Sequence, residues 1–530
     1  MSKALKRKRT SRQWQEIVQQ ARGLREASLA VVQPPFPRVP DTTKKNVTGI
    51  AGQILSPEEC NITSAKPEDL LDALASKALS ATEVTNAFLR RAALSQNLTN
   101  CVTELLTESA LSRATSLDAL PNLKGPLHGL PVSIKEHFGI ANRRLHAGYV
   151  AYFDKFASKN ALIVDILENA GAVIFARTTE PQGMMQLETD SNLYGVTVNP
   201  LNIDLSAGGS SGGEGALIGC NGSILGVGSD VGGSIRVPAA ANGIYGLKPT
   251  SSRIPTMGWS STPAGADPIQ TVLGPLSTSL AGISTFMSAV LAAEPWLQEP
   301  ALVPLPWRQV RLPGKLKIGI MYDDGIVKPH PPISRMLKYL EARLEDVQNV
   351  RVVPFRAHKH DEAWAITSSL YYTDGGSSDL KLIRESGEPV RPLTRWMITE
   401  NPCVNSLTRA QLEYWLEERE EFRKEYNEYW NATGTFNDES GKFEDVIDVL
   451  LCPVAPWIAS RHGTAKYWSY TSTWNLLDWP ALVAPVSVAD KSVDFEQRSE
   501  FWSAVDEEIW DMCESQCYAN RDDLKTEMHL

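Results

Sequence analysis

With 530 residues, a net charge of −10, and 42% hydrophobic against 22% charged residues, the chain has the composition of a globular protein large enough to bury an extensive core. The acidic balance argues against a nucleic-acid binder, which would carry a basic face, and no apolar run is expected to reach the ~18–20 residues that span a bilayer. Seven cysteines (Cys60, Cys101, Cys220, Cys403, Cys452, Cys513 and Cys517) are scattered and odd in number, so neither a disulfide framework nor a metal site is expected, and a reducing, cytoplasmic compartment is.

The basic amino-terminal MSKALKRKRTSR has no hydrophobic stretch after it and reads as a solvated tail or a nuclear-import patch, not a secretory signal. Residues 1–45 as a whole read as an appendage. An amphipathic helix around Trp14–Leu29 leads into the Pro-rich Gln33–Pro40, which suits an extended strap. Residues 46–530 form the body. Its first helix starts at Pro67, with Thr63 or Ser64 as cap and Leu70, Leu71 and Leu74 on one face. Ser80 and Glu83 have capping-box spacing and open a second helix through Val84, Phe88, Leu89 and Ala92.

Strand and helix signals then alternate. Leu130–Ile134 reads as a strand, Leu162–Ala170 as a helix and Ala172–Ala176 as a buried strand. The strand signal recurs at Ile224–Val227, Leu316–Met321, Val350–Phe355 and Val449–Val454, while the charged stretch Asp361–Trp430 reads as a helical outer layer. This alternation predicts a single large α/β domain, with a central mixed, twisted β-sheet covered by helices on both faces.

The segment Gly208–Ala239 reads GGSSGGEGALIGCNGSILGVGSDVGGSIRVPA and holds eleven glycines and five serines. Glycine is costly to order and packs nothing, so this density implies backbone that approaches a ligand closely with its N–H groups free to donate. Serines in such loops are candidates for attack on a carbonyl, because those N–H groups can hold the oxyanion that forms. The loops lack the Gly-Lys-Ser/Thr ending that seats phosphates, and Cys220, beside Leu217 and Ile218, reads as an inert buried thiol. Upstream, Lys135 ends the apolar GLPVSIK; it is either paired, with Glu136 the nearest acid, or unusual, and the local sequence leaves both readings open. His137 reads as packing or polar support. Met184 and Met185 suit a core, or a wall that adapts to a ligand.

Together GLPVSIK, GGSSGGEGALI and GSDVGGSIRVPA resemble the amidase signature family, with Ser234 following Ser210 by 24 residues. The similarity continues through TVNP (Thr197–Pro200), IYGLKPT (Ile244–Thr250), TVLGPLS (Thr271–Ser277), PWRQ (Pro306–Gln309), HPP (His330–Pro332) and WNLLDWPALVAPV (Trp474–Val486), and it is strongest to the fungal acetamidase-like branch. The resemblance implies the amidase signature fold and conversion of a carboxylic acid amide to carboxylate and ammonia, with no cofactor and no metal. It assigns Ser234 as nucleophile, Ser210 as a proton-relaying bridge in a cis backbone, and Lys135 as general base. It assigns the N–H groups of Val231, Gly232, Gly233 and Ser234 as the oxyanion hole, Met184 to the acyl pocket, and Ser211 and Arg236 to hydrogen bonding within the loops. Lysine can serve as a base only when neutral, so its pKa must fall from about 10.4 by ~3 pH units through burial.

The expected partner is a small aliphatic or specialised-metabolite amide, the expected assembly a homodimer, and neither nucleic acid nor membrane is expected. Two alternatives stay open: a glutamine-hydrolysing amidotransferase subunit, and, because of the altered carboxyl end, a catalytically silent amide-binding or vestigial family member. Glu136 and Ser229 stand where the family usually has Asp and Thr. At the carboxyl end, FWSAVDEEIWDMCESQCYANRDDLKTEMHL replaces the family's Gly-Ala-Pro strand and final helix.

Overall fold

Ten strands that matter for the site form two sheets in the computed structural model, which describes residues 13–35, 44–260, 268–310, 314–490, 492–494 and 496–517. The basic tail 1–12, residues 36–40 of the Pro-rich strap, the carboxyl-terminal 518–530 and the side chains of Cys513 and Cys517 lie outside the described residues. In chain order the strands are β1 (Val102–Leu105), β2 (Pro131–Lys135), β3 (Val173–Thr178), β4 (Leu225–Asp230), β5 (Tyr245–Lys248), β6 (Val272–Ser277), β7 (Leu316–Ile320), β8 (Val350–Pro354), β9 (Val449–Leu451) and β10 (Ala481–Val483).

The main sheet has seven strands in the order β1-β3-β2-β4-β6-β5-β10. Its centre is parallel, β3 with β2 and β2 with β4, and the remaining pairs are antiparallel, so the sheet is mixed as expected. Every residue of β2, β3, β4 and β6 is buried, the mark of a sheet covered on both faces. Helices Ala81–Thr99 and Gly212–Gly219 pack on this sheet and on each other; Leu162–Asn169 and Leu280–Ala292 form a second packed pair. Leu130–Ile134, Ala172–Ala176 and Ile224–Val227 fall on β2, β3 and β4. The other strand signals go elsewhere: β7, β8 and β9 form a separate three-stranded parallel sheet, order β8-β7-β9, rather than extending the central one.

Local signals behave as their chemistry dictates, with two corrections. Ser80 and Glu83 close the capping box of Ala81–Thr99 reciprocally, with Glu83 N–H donating to Ser80 Oγ at 3.1 Å and Ser80 N–H to Glu83 Oε2 at 2.8 Å. Pro67 does begin a helix, but Thr63 and Ser64 do not cap it; they end the preceding helix Pro57–Ser64, which Ser56 and Glu59 cap. The second correction concerns apolar runs: Leu280–Leu297, with mean hydropathy 1.3, is long and apolar enough to cross a membrane by length and composition. Its helical part, capped by Ser279, buries Ile283, Phe286, Met287, Val290 and Leu291, so core packing accounts for the apolarity.

Helix Trp14–Ala30 docks on the body through Arg25 Nη1 to Asn100 Oδ1 (2.7 Å) and Leu105 N–H to Ser28 Oγ (3.1 Å). At the other end, β10 is an edge strand with Leu482 exposed, and no strand among the described residues pairs with its outer side. The helix Ala504–Cys517 packs instead near residues 326–330, burying Ile509 and Trp510 while Ile509 O accepts from His330 Nε2 at 2.9 Å. Cys60, Cys101, Cys220, Cys403 and Cys452 are all free thiols.

Candidate active site

Neighbouring parallel strands β2 and β4 end in Lys135 and Asp230, and two glycine-rich loops close over those ends. The first loop, Gly208–Ser211, leads into helix Gly212–Gly219; the second, Val231–Ile235, leads into helix Arg236–Asn242. The loops meet through backbone: Ser211 N–H donates to Ser234 O at 3.1 Å. Ser211 Oγ adds a bond to Ser229 O (3.3 Å). A Cβ on Gly209 would sit 2.2 Å from Glu188 O, so no other residue lets this loop approach so closely. The Gly209–Ser210 peptide is cis.

Lys135 is fully buried and its Nζ donates to Ser210 Oγ at 2.7 Å and Ser229 Oγ at 3.1 Å. No ion pair reaches it among the described residues. The alternative partner, Glu136, turns away and receives His146 N–H and Ala147 N–H, both at 3.0 Å, and Arg177 Nη2 at 3.0 Å. Burial therefore lowers the Lys135 pKa to about 8, with Glu180, Asp230 and Glu214 partly opposing the fall. Measured from an ordinary lysine, that is about 3 kcal/mol in favour of the neutral amine. Glu214 itself is pushed up to about 8 by burial, against hydrogen bonds from Ser133 Oγ (2.5 Å) and Thr178 Oγ1 (2.8 Å).

Ser234 Oγ is buried and has no hydrogen-bond partner among the described residues, so the Ser210–Ser234 link is not closed by a hydrogen bond. Both serines nonetheless line one cavity of about 60 Å3, shared with Met184, Val231, His137 and Tyr371. His137 is uncharged, its pKa held near 3 by burial and by Lys135; its Nδ1 lies 3.0 Å from Ser260 O.

The oxyanion-hole assignment needs one correction. Asp230 is buried beneath the second loop and accepts from Gly233 N–H (2.9 Å), Ile235 N–H (3.0 Å), Arg236 Nε and Nη2 (3.0 and 2.8 Å) and Asn475 Nδ2 (3.0 Å). A buried carboxylate must collect donors, and Gly233 is one of them, so its N–H is committed. Gly233 instead supplies shape, at φ 137°, where a Cβ would meet Thr471 Oγ1 at 2.6 Å. The N–H groups of Val231, Gly232 and Ser234 have no acceptor among the described residues. Tyr371 OH donates to Val231 O (2.9 Å), which turns the Gly232 N–H of the same peptide the opposite way, and Thr471 Oγ1 donates to Gly232 O (2.6 Å), which does the same for the Gly233 N–H that Asp230 receives.

Asp230, Tyr371 and Thr471 hold the second loop in shape, and sequence reasoning missed all three. Asp230 carried a signal: an acid inside an apolar Gly-rich run, with Arg236 six residues on as its only nearby cation. Tyr371 and Thr471 come from distant helices and carried none.

A family model described as Amidase matches residues 83–497. The acetamidase of Emericella nidulans is 37% identical, over 86% of this chain and 83% of its own length. Amidase 1 of Gibberella moniliformis is 36% identical, over 92% of this chain and 90% of its own. Among solved structures, a fatty acid amide hydrolase superposes with a TM-score of 0.87 at 31% identity, covering 94% of this chain and 89% of that one. By sequence and by fold, the chain belongs to the amidase signature family of amide hydrolases.

Proposed function

We propose that the protein hydrolyses small carboxamides through an acyl-enzyme on Ser234. The observation that carries this reading is the 2.7 Å hydrogen bond between buried Lys135 and Ser210, beside the unpartnered hydroxyl of Ser234. The neutral Lys135 amine accepts the Ser210 proton while Ser210 accepts that of Ser234, and the Ser234 oxygen bonds to the amide carbon. The N–H groups of Val231, Gly232 and Ser234 hold the resulting oxyanion, each such donor being worth about 10²–10³ in rate. As the C–N bond breaks, the proton on Lys135 returns through Ser210 to the nitrogen, and ammonia leaves. Water then gives one proton to the same relay and bonds to the acyl carbon. The relay returns that proton to the departing Ser234 oxygen, and the acid product passes its remaining proton to the released ammonia to leave as carboxylate. Chain, substrate and water carry every proton and electron pair of this cycle.

Cavity size supports a short acyl group. Its 60 Å3 is under half of the ~150 Å3 that accepts a benzene ring in an engineered protein cavity. That favours the substrate class named by the acetamidase relatives over the long chains named by the fatty acid amide hydrolase neighbour. The free cysteines support work in a reducing, cytoplasmic setting. The test is ammonia release from a panel running from acetamide through hexanamide to oleamide, with glutamine included, and hydroxamate formation with added hydroxylamine. Turnover is expected to peak at acyl groups of about two to four carbons. Folded protein that releases no ammonia and forms no hydroxamate overturns the reading.

A further inference from the structure

Behind Lys135, two carboxyl groups that the catalytic cycle does not use face each other. β2 and β3 run parallel with Lys135 opposite Thr178, and Glu136 N–H donates to Thr178 O at 3.2 Å, so Glu136 and Glu180 emerge side by side just past the strand ends. They are 0% and 2% exposed, and an oxygen of each lies with a His146 ring nitrogen in a cluster whose atoms are all within 4.8 Å of one another. Their surroundings differ sharply. Glu136 holds two backbone N–H groups and the Arg177 guanidinium. Neither oxygen of Glu180 accepts a hydrogen bond from a donor among the described residues. Nor does His146 supply a charge to balance it, since burial lowers that ring's pKa to about 4.

Two carboxylates this close in a dry site cannot both ionise, and the one with donors and a cation keeps its charge. We propose that Glu180 is held as a neutral carboxylic acid sharing its proton with the Glu136 carboxylate, and that it is a positioning residue whose neutrality leaves Lys135 free to lose its own proton. Burial, and then the Glu136 charge, push Glu180 well above the usual carboxyl range, in accord with this geometry. The other charged or titratable groups around Lys135 each have their own compensation: Asp230 pairs with Arg236, His137 is neutral by burial, and Glu214, raised to about 8 by burial, accepts from Ser133 Oγ and Thr178 Oγ1. An ionised Glu180 would be an anion there with neither donor nor cation of its own, stabilising the ammonium form of the base.

This inference rests on Lys135 acting as the base, so its test has an arm that needs no activity. Infrared difference spectra between the full-length protein and Glu180→Gln, at about pH 8, should contain the C=O stretch of a protonated carboxyl that the variant lacks. In the kinetic arm, Glu180→Gln replaces one neutral group with another, so the acid limb of kcat/KM keeps its midpoint within about 0.3 pH unit. A difference spectrum that shows loss of a carboxylate instead, or an acid limb moved down by about one pH unit, overturns the proposal, because either means an anion has been removed from beside the lysine. If Glu180→Gln fails to fold, Glu180→Met gives the same infrared reading, with the same two outcomes.

Discussion

Two buried charges stand at the ends of the neighbouring strands β2 and β4, and they are treated in opposite ways. Asp230 is surrounded by donors, pairs with Arg236 at 2.8 Å, and is held well below the ordinary carboxylate range, burial being outweighed by that guanidinium. Lys135 meets only hydroxyls, and burial drives it toward neutrality. A buried charge that is fully paired becomes scaffold. One left with weak partners changes its protonation instead, and that makes it available for chemistry.

Substitutions at the two centres should therefore separate rate from stability. Ser234→Ala and Lys135→Met should each lose about 10⁴–10⁶ in kcat on the best amide of the panel. Lys135→Met should also unfold at the same or a higher denaturant concentration, because it removes an unpaired buried amine. Asp230→Ala should do the reverse, lowering unfolding free energy in urea by about 3–5 kcal/mol, because Arg236 is left buried without its partner. Gly232→Ala comes next: its Cβ would sit 2.4 Å from Tyr371 OH, and displacing that N–H should lower kcat by about 10²–10³ with KM less affected. Smallest is Tyr371→Phe, which frees Val231 O from its 2.9 Å bond and should cost about 1 kcal/mol, read as a several-fold fall in kcat. A Lys135→Met protein that is markedly destabilised, or an Asp230→Ala protein as stable as the parent, would break the contrast between the centres.

The same contrast bears on what was legible in the sequence. The glycine-rich loops stood out because so many residues that are costly to order demand a functional reason, and Lys135 because a charge at the end of an apolar strand is anomalous. β2, β3 and β4 were readable as apolar runs. β6 was not: Gly274 and Pro275 interrupt it, and neither residue type suggests a strand deep in a sheet. β5, YGLK, is too short and mixed to carry a period. Strand signals at β7, β8 and β9 were real, yet nothing in a single strand's pattern says which sheet it joins. Within the second loop, the family resemblance assigned four backbone N–H groups to the oxyanion hole and could not say which of them Asp230 would claim. That depends on a carboxylate's need for donors in three dimensions, as do the contributions of Tyr371 and Thr471 from helices over a hundred residues away.

The most direct test of the account is the pH dependence of acylation, measured as kcat/KM from about pH 6 to 10. Burial disfavours the ammonium form, so Lys135 should be protonated and inactive below its pKa and a competent base above it. The account predicts a rate that climbs with pH through a midpoint no higher than about 8, well below an ordinary lysine, and then levels. A profile flat across that range would contradict it, since a base that never changes protonation state cannot be this lysine.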